Sequence, residues 1–128
     1  MSATQQQFGQ QSELLAAKFL VRQGYKILAS NYSTPAGEID IIAKDKDVIV
    51  FAEVKARRSD RYGIPERAIT KTKQRKISMA ALHYLKDRHL INVKARFDVI
   101  AIRMYKADNV KCKPEITILK NAFELAYQ

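Results

Sequence analysis

A single cysteine, Cys112, cannot close an internal disulfide, and with only two histidines, His83 and His89, the chain has no zinc ligand set. A lone thiol suits a reducing, cytoplasmic setting. Three prolines and four glycines are too few for a fibrous repeat or a low-complexity linker. No apolar run approaches the ~20 residues that a membrane span needs, so no membrane partner is expected. The first ten residues are polar and glutamine-rich, without the basic start and apolar centre of a cleaved signal. They read as a flexible lead-in. Acidic residues are scarce as well: 13 against 23 lysines and arginines, a net charge of +10 and an isoelectric point near 9.8.

What is present is enough for one folded domain spanning residues 1–128, since 47% of the chain is apolar. Excess positive charge favours polyanions, nucleic acid foremost, through counterion release. The charge is also concentrated. Nine of the 22 residues from Lys55 to Lys76 are Lys or Arg, against only Asp60 and Glu66. A solvated basic helix with affinity for ribosomes or membrane surfaces would carry the same pattern.

The residues from Gln11 to Gln23 predict a helix closed by Gly24, which suits the left-handed position past a helix end. Tyr25 to Tyr32 predicts a short strand, followed by a turn at Thr34-Pro35-Ala36-Gly37. Glu38 to Ala43 and Val48 to Val54 predict a β-hairpin across the polar turn Lys44-Asp45-Lys46-Asp47. Arg57 to Ile64 reads as a charged loop. Pro65 then suits the first turn of a helix reaching about His89. Phe97 to Met104 and Glu115 to Leu119 predict two further strands around a polar loop at Asp108-Asn109. The order αβββαββ is an α/β arrangement: a mixed central β-sheet flanked by helices.

The hairpin concentrates charge of one sign. Alternation along a strand puts Glu38, Asp40 and Ile42 on one face, and Phe51, Glu53 and Lys55 on one face of the second arm. If Asp45 pairs with Val48, or Lys44 with Ile49, Asp40 lies opposite Glu53. Two carboxylates so placed repel each other unless a cation intervenes, and hard oxygen donors suit Mg²⁺. Lys55 follows two residues after Glu53. On the first helix, at about 100° per residue, Glu13 falls among Ala16, Ala17, Leu20 and Val21. An acid on an apolar face is costly without a partner. A plain cross-strand ladder of ion pairs is the alternative reading of the same residues.

Glu13, Gly37-Glu38-Ile39-Asp40 and Phe51-Ala52-Glu53-Val54-Lys55 with Arg57 resemble the bacterial YraN family, also called UPF0102. The similarity continues through Gly24-Tyr25, Ile27-Leu28, Asn31, Ala68, Lys73, Ala80, Arg96-Phe97-Asp98-Val99 and Asn121-Ala122-Phe123. Ser12 stands where the family usually has glycine, Ser33 where arginine is common, and Ile39 where related enzymes carry proline. That family in turn resembles the PD-(D/E)XK restriction-endonuclease-like nucleases, nearest the archaeal Holliday-junction resolvases. The resemblance implies a metal-dependent endonuclease acting on DNA, with branched or recombination intermediates as substrates.

It implies further that Asp40, Glu53 and the Val54 carbonyl hold Mg²⁺ or Mn²⁺, with Glu13 at the edge of the cluster. Lys55 would orient the attacking water and offset charge on phosphorus, with Glu38 behind the ligands. Arg57, Arg58 and Arg61 would grip the nucleic-acid backbone, with Lys73. Arg67, Lys71 and Arg75 would do so along one face of the second helix, unless they are merely solvated. A homodimer would match the two cleavage points of a four-way junction. A protein of the same fold that binds nucleic acid or a complex partner without cleaving is the competing expectation. Asp98, set in an apolar strand, reads as a structural salt-bridge partner. Tyr62 could stack on a base, and the two histidines read as structural or surface residues.

Overall fold

The computed structural model describes residues 3–57, 69–90, 92–103 and 114–124, with side chains from residue 9 onward. Within them the chain runs α1 (Ala3–Arg22), β1 (Lys26–Thr34), β2 (Gly37–Asp45), β3 (Val48–Arg57), α2 (Lys71–Asp87), β4 (Lys94–Arg103) and β5 (Glu115–Phe123). This is the expected order αβββαββ. The five strands form one sheet in the order β1-β2-β3-β4-β5. β3 and β4 are parallel and the other neighbours antiparallel, so the sheet is mixed. A parallel pair cannot be closed by a tight turn, and α2 falls in the crossover between β3 and β4.

α1 begins at Ala3, eight residues ahead of the expected Gln11, because the glutamine-rich lead-in is itself compatible with helix. Its end is as expected. Gly24 takes φ +95, and the Tyr25 amide reaches back to the Leu20 carbonyl at 2.9 Å, closing the last turn. α2 differs more at its start. Thr70 is extended and its hydroxyl accepts from the Lys73 amide at 3.1 Å, so the helix starts at Lys71. Pro65, expected in that first turn, lies outside the described residues, as do Arg58, Arg61, Tyr62, Arg67 and the Asp108-Asn109 loop.

The helices cover opposite faces of the sheet. Ala16 and Leu20 of α1 pack with Ile41, Ala43, Val50, Ala52, Ile100 and Ile102. Ile77, Ala80, Ala81 and Tyr84 of α2 pack with Ile39, Ile42, Ile49, Phe51 and Phe97. Val21, expected on the buried face of α1, is 56% exposed. The buried stripe instead follows Ser12, Ala16 and Leu20 at four-residue spacing, which leaves Glu13 on its margin.

Asp98 is buried in an ion-pair network at the β2–β3 turn end of the sheet. The Arg96 Nε donates to both Asp98 oxygens at 3.1 and 3.0 Å, and the Asn121 amide donates to Oδ1 at 3.1 Å. The Arg96 Nη2 continues to the Tyr25 hydroxyl at 2.8 Å and to Asp45 at 3.0 Å. Asp98 is therefore structural, as its apolar strand implied. One guanidinium ties Tyr25, just ahead of β1, to β2 and β4.

Candidate functional site

The β2–β3 register is the expected one: Asp45 faces Val48, Lys44 faces Ile49, and pairing continues to Ile41 opposite Ala52. The next position would set Asp40 against Glu53. Backbone pairing stops there, and the Asp40 side chain takes its place, with Oδ2 accepting from the Val54 amide at 2.8 Å. A strand residue projects its N–H and C=O to the same edge. The Val54 carbonyl therefore faces the same gap between the strands.

Strict alternation fails at this point and corrects the expected faces. Ile39 and Ile42 pack together on the α2 side, whereas Ile41 and Ala43 pack on the α1 side. The side-chain phase thus slips between residues 39 and 41, at Asp40. Across the β1–β2 ladder the facing position is Asn31, between the pairs Ser30–Ile41 and Tyr32–Ile39. Asn31 has φ 53, in the left-handed region that asparagine tolerates better than most residues. Asp40 consequently stands at an opening in the sheet rather than on the face it would share with Glu38 and Ile42.

Three acids meet at this opening in a chain. Glu13 lies beside Asp40 and Asp40 beside Glu53, each pair close enough to share a proton when one member is neutral. The Asn31 amide, in the orientation its hydrogen bonds select, donates to both Glu13 oxygens at 3.1 and 3.2 Å. Burial raises the Glu53 carboxyl to about 7, reinforced by the charge of Asp40 and opposed by Lys73 and Lys55. Burial also raises Asp40 above the usual carboxylate range, although the Val54 amide and Lys73 pull it back. Glu13 is raised by burial and then by Asp40. Like charges in a dry place hold protons more tightly. Glu38 is exposed and adds negative charge near Glu13.

Basic groups border the acids. Lys55 is half-buried and near enough to attract both Asp40 and Glu53. Lys73, expected to grip nucleic acid, reaches here from the first turn of α2 to Glu53, with Nζ 3.3 Å from Oε1. Lys71 and Arg75 are exposed on α2, and Arg57 is exposed at the end of β3. The structure thus brings together Glu13, Asp40, Glu53, Val54, Lys55 and Lys73. Sequence reasoning gave no role to Asn31, although it was among the residues shared with the family and stood out as an asparagine amid strand-forming residues. The Lys73–Glu53 contact left no local trace in the sequence.

The acids are of the oxygen-donor type that suits a hard divalent cation. They form a linear chain: among the described residues no group of three or more His, Cys, Asp or Glu converges on one metal-sized space. Asp40, Glu53 and the Val54 carbonyl fit the narrower requirement of Mg²⁺, which is commonly held by one or two carboxylates and completed by water and phosphate.

The family model described as "Uncharacterised protein family UPF0102" matches residues 12–102, which span the helix acid, the hairpin and the parallel strand pair. The chain belongs to the UPF0102 family. A UPF0102 protein of Desulfosudis oleivorans is 50% identical over 119 residues, 93% of this chain and 91% of the relative. One from Syntrophus aciditrophicus is 48% identical over 122 residues, covering 93% and 90%. One from Geobacter metallireducens is 46% identical over 127 residues, covering 99% and 100%. The UPF0102 match therefore extends over nearly the whole chain. Among the described residues no helix is long and apolar enough to cross a membrane.

Proposed function

We propose that this UPF0102 protein is a metal-dependent endonuclease that cleaves DNA phosphodiester bonds, with branched or recombination intermediates as its substrates. The observation that carries this reading is the end of the β2–β3 ladder. There the Asp40 carboxylate is pinned to the Val54 amide beside buried Glu53, with two lysines at hand. Burying acids side by side is costly, and a purely structural pair gains nothing from it. Asp40, Glu53 and the Val54 carbonyl would hold Mg²⁺ or Mn²⁺. Such an ion supplies Lewis-acid polarisation of the phosphate and a bound water of lowered pKa. Lys55 orients that water and offsets charge at phosphorus. Glu13, fixed by Asn31, borders the ligands through Asp40. Arg57, Lys71 and Arg75 hold the backbone of the nucleic acid.

One observation favours a second reading, a nucleic-acid-binding protein that cleaves nothing: the acids form a chain rather than a convergent cage. Supercoiled plasmid, linear duplex, single strand and four-way junction incubated with Mg²⁺ or Mn²⁺ separate the two. Wild type is expected to cleave at least one, and Asp40→Asn and Lys55→Ala to lose roughly two orders of magnitude in rate. Asp40→Asn should still bind DNA. Equal nicking by all three proteins would assign the cleavage to a contaminant, and binding without cleavage by wild type would establish the second reading.

A further inference from the structure

The Lys73–Glu53 ion pair is asymmetric in a way that a structural salt bridge does not need. The Glu53 side chain is 6% exposed and the Lys73 side chain 47% exposed. The acid is fixed in the sheet, whereas the base reaches in from solvent and can return there with little loss of hydration. Its backbone is fixed: Lys73 N–H is bound to the Thr70 cap, and the Gln74 side chain to the Ile69 carbonyl at 3.2 Å. Only the side chain is free to change partner. The position is also electrostatically awkward. Lys73 lies in the first turn of α2, which contains no acid. The positive end of a helix disfavours a cation, so this ammonium needs an external anion.

We propose that the Lys73 ammonium is a tethered counter-ion, balancing Glu53 until a divalent cation takes its place and then turning outward to hold a substrate phosphate. The inference rests on the nuclease reading and adds, to the nucleic-acid contact that the resemblance implies for Lys73, a counter-ion role coupled to metal entry. When all three acids are ionised, Glu13, Asp40 and Glu53 outnumber the two lysines beside them, Lys55 and Lys73, by one charge. A divalent cation between Asp40 and Glu53 would repel an ammonium 3.3 Å from the Glu53 oxygen. The displaced lysine stays on the basic first turns of α2, beside Lys71 and Arg75, where phosphate binding is favoured. Metal entry and substrate grip are thereby coupled through one side chain.

The test is a calorimetric Mn²⁺ titration of metal-free full-length protein, buffered above the Glu53 transition. Wild type is compared with Lys73→Met, Lys73→Arg and Asp40→Asn. Lys73→Met should bind Mn²⁺ about fivefold tighter or more, the size of one contact-distance charge interaction screened by water. Lys73→Arg should bind like wild type, and Asp40→Asn should lose binding. As a second readout, acylation of the Lys73 amine, measured by mass spectrometry, should speed up when Mg²⁺ is added. Unchanged or weaker binding by Lys73→Met, with Asp40→Asn still defective, would overturn the counter-ion role alone. Mn²⁺ uptake that is absent from wild type, or unaffected by Asp40→Asn, would overturn the metal site itself.

Discussion

Glu53 is the residue where burial and charge conflict most openly. Its carboxyl is raised from 4.5 to about 7 by loss of solvent and by Asp40, which means that the fold prefers its protonated form. The stability linked to this group is present in full below pH 4.5, is lost as pH rises through about 7, and stays lost above that. Glu53→Gln keeps the neutral form at every pH. The metal-free variant should therefore melt higher than wild type above pH 7, and the advantage should vanish below pH 4.5. Melting curves by circular dichroism with a chelator present check this. A variant less stable than wild type above the transition would show that the Lys73 ion pair outweighs the cost of burying Glu53. Residue types alone marked Asp40, Glu53 and Lys55. They did not mark Asn31, because a hydrogen bond to Glu13 depends on where α1 crosses β1.

Among the elements, the β1–β2 hairpin and α2 together position the acids. The turn is held by Thr34, whose hydroxyl accepts from the Ala36 and Gly37 amides, each at 3.1 Å. Gly37 then passes directly under α2. A Cβ at that position would sit 2.6 Å from the Lys76 carbonyl oxygen, which is backbone and cannot rotate away. The glycine that opens the Gly37-Glu38-Ile39-Asp40 motif is thus needed for close packing, not for chemistry. Gly37→Ala should cost about 1–3 kcal/mol in urea unfolding and should impair the proposed cleavage by shifting α2 and Lys73 relative to Glu53. Wild-type stability in this variant would mean that the hairpin and α2 are not held so closely. α2 starts at Lys71 rather than at the expected first turn near residue 65 for a local reason. Thr70 supplies a side-chain acceptor to the first turn, and capping by Thr decided where the helix begins.

At the scale of the whole molecule, the net charge of +10 supplies long-range attraction for a polyanion, and the placement of the basic groups aims it. Lys55, Arg57, Lys71, Lys73 and Arg75 lie on the two elements that border the acidic opening. If DNA lies across them, its affinity must fall steeply with salt. The Lys71→Gln/Arg75→Gln double variant should reduce the slope of log affinity against log salt by about 2, one unit per lost phosphate contact. Fluorescence anisotropy of a labelled duplex at several salt concentrations measures this. An unchanged slope would place both side chains on a solvated face away from DNA.

The amino-acid sequence by itself determined whatever depends on neighbours along the chain. This covers the order αβββαββ, the Gly24 stop, the hairpin register that aligns Asp40 with Glu53, and the basic run after Lys55. Each follows from periodicity, turn chemistry or charge within a few residues. Only the tertiary structure decided the rest: the slip of side-chain phase at Asp40, the grip of Asn31 on Glu13, the contact of Gly37 with α2, and the reach of Lys73 to Glu53. These contacts arise where one element crosses another, and the crossing is set by packing two helices onto opposite faces of a twisted sheet. No spacing in the chain encodes that geometry.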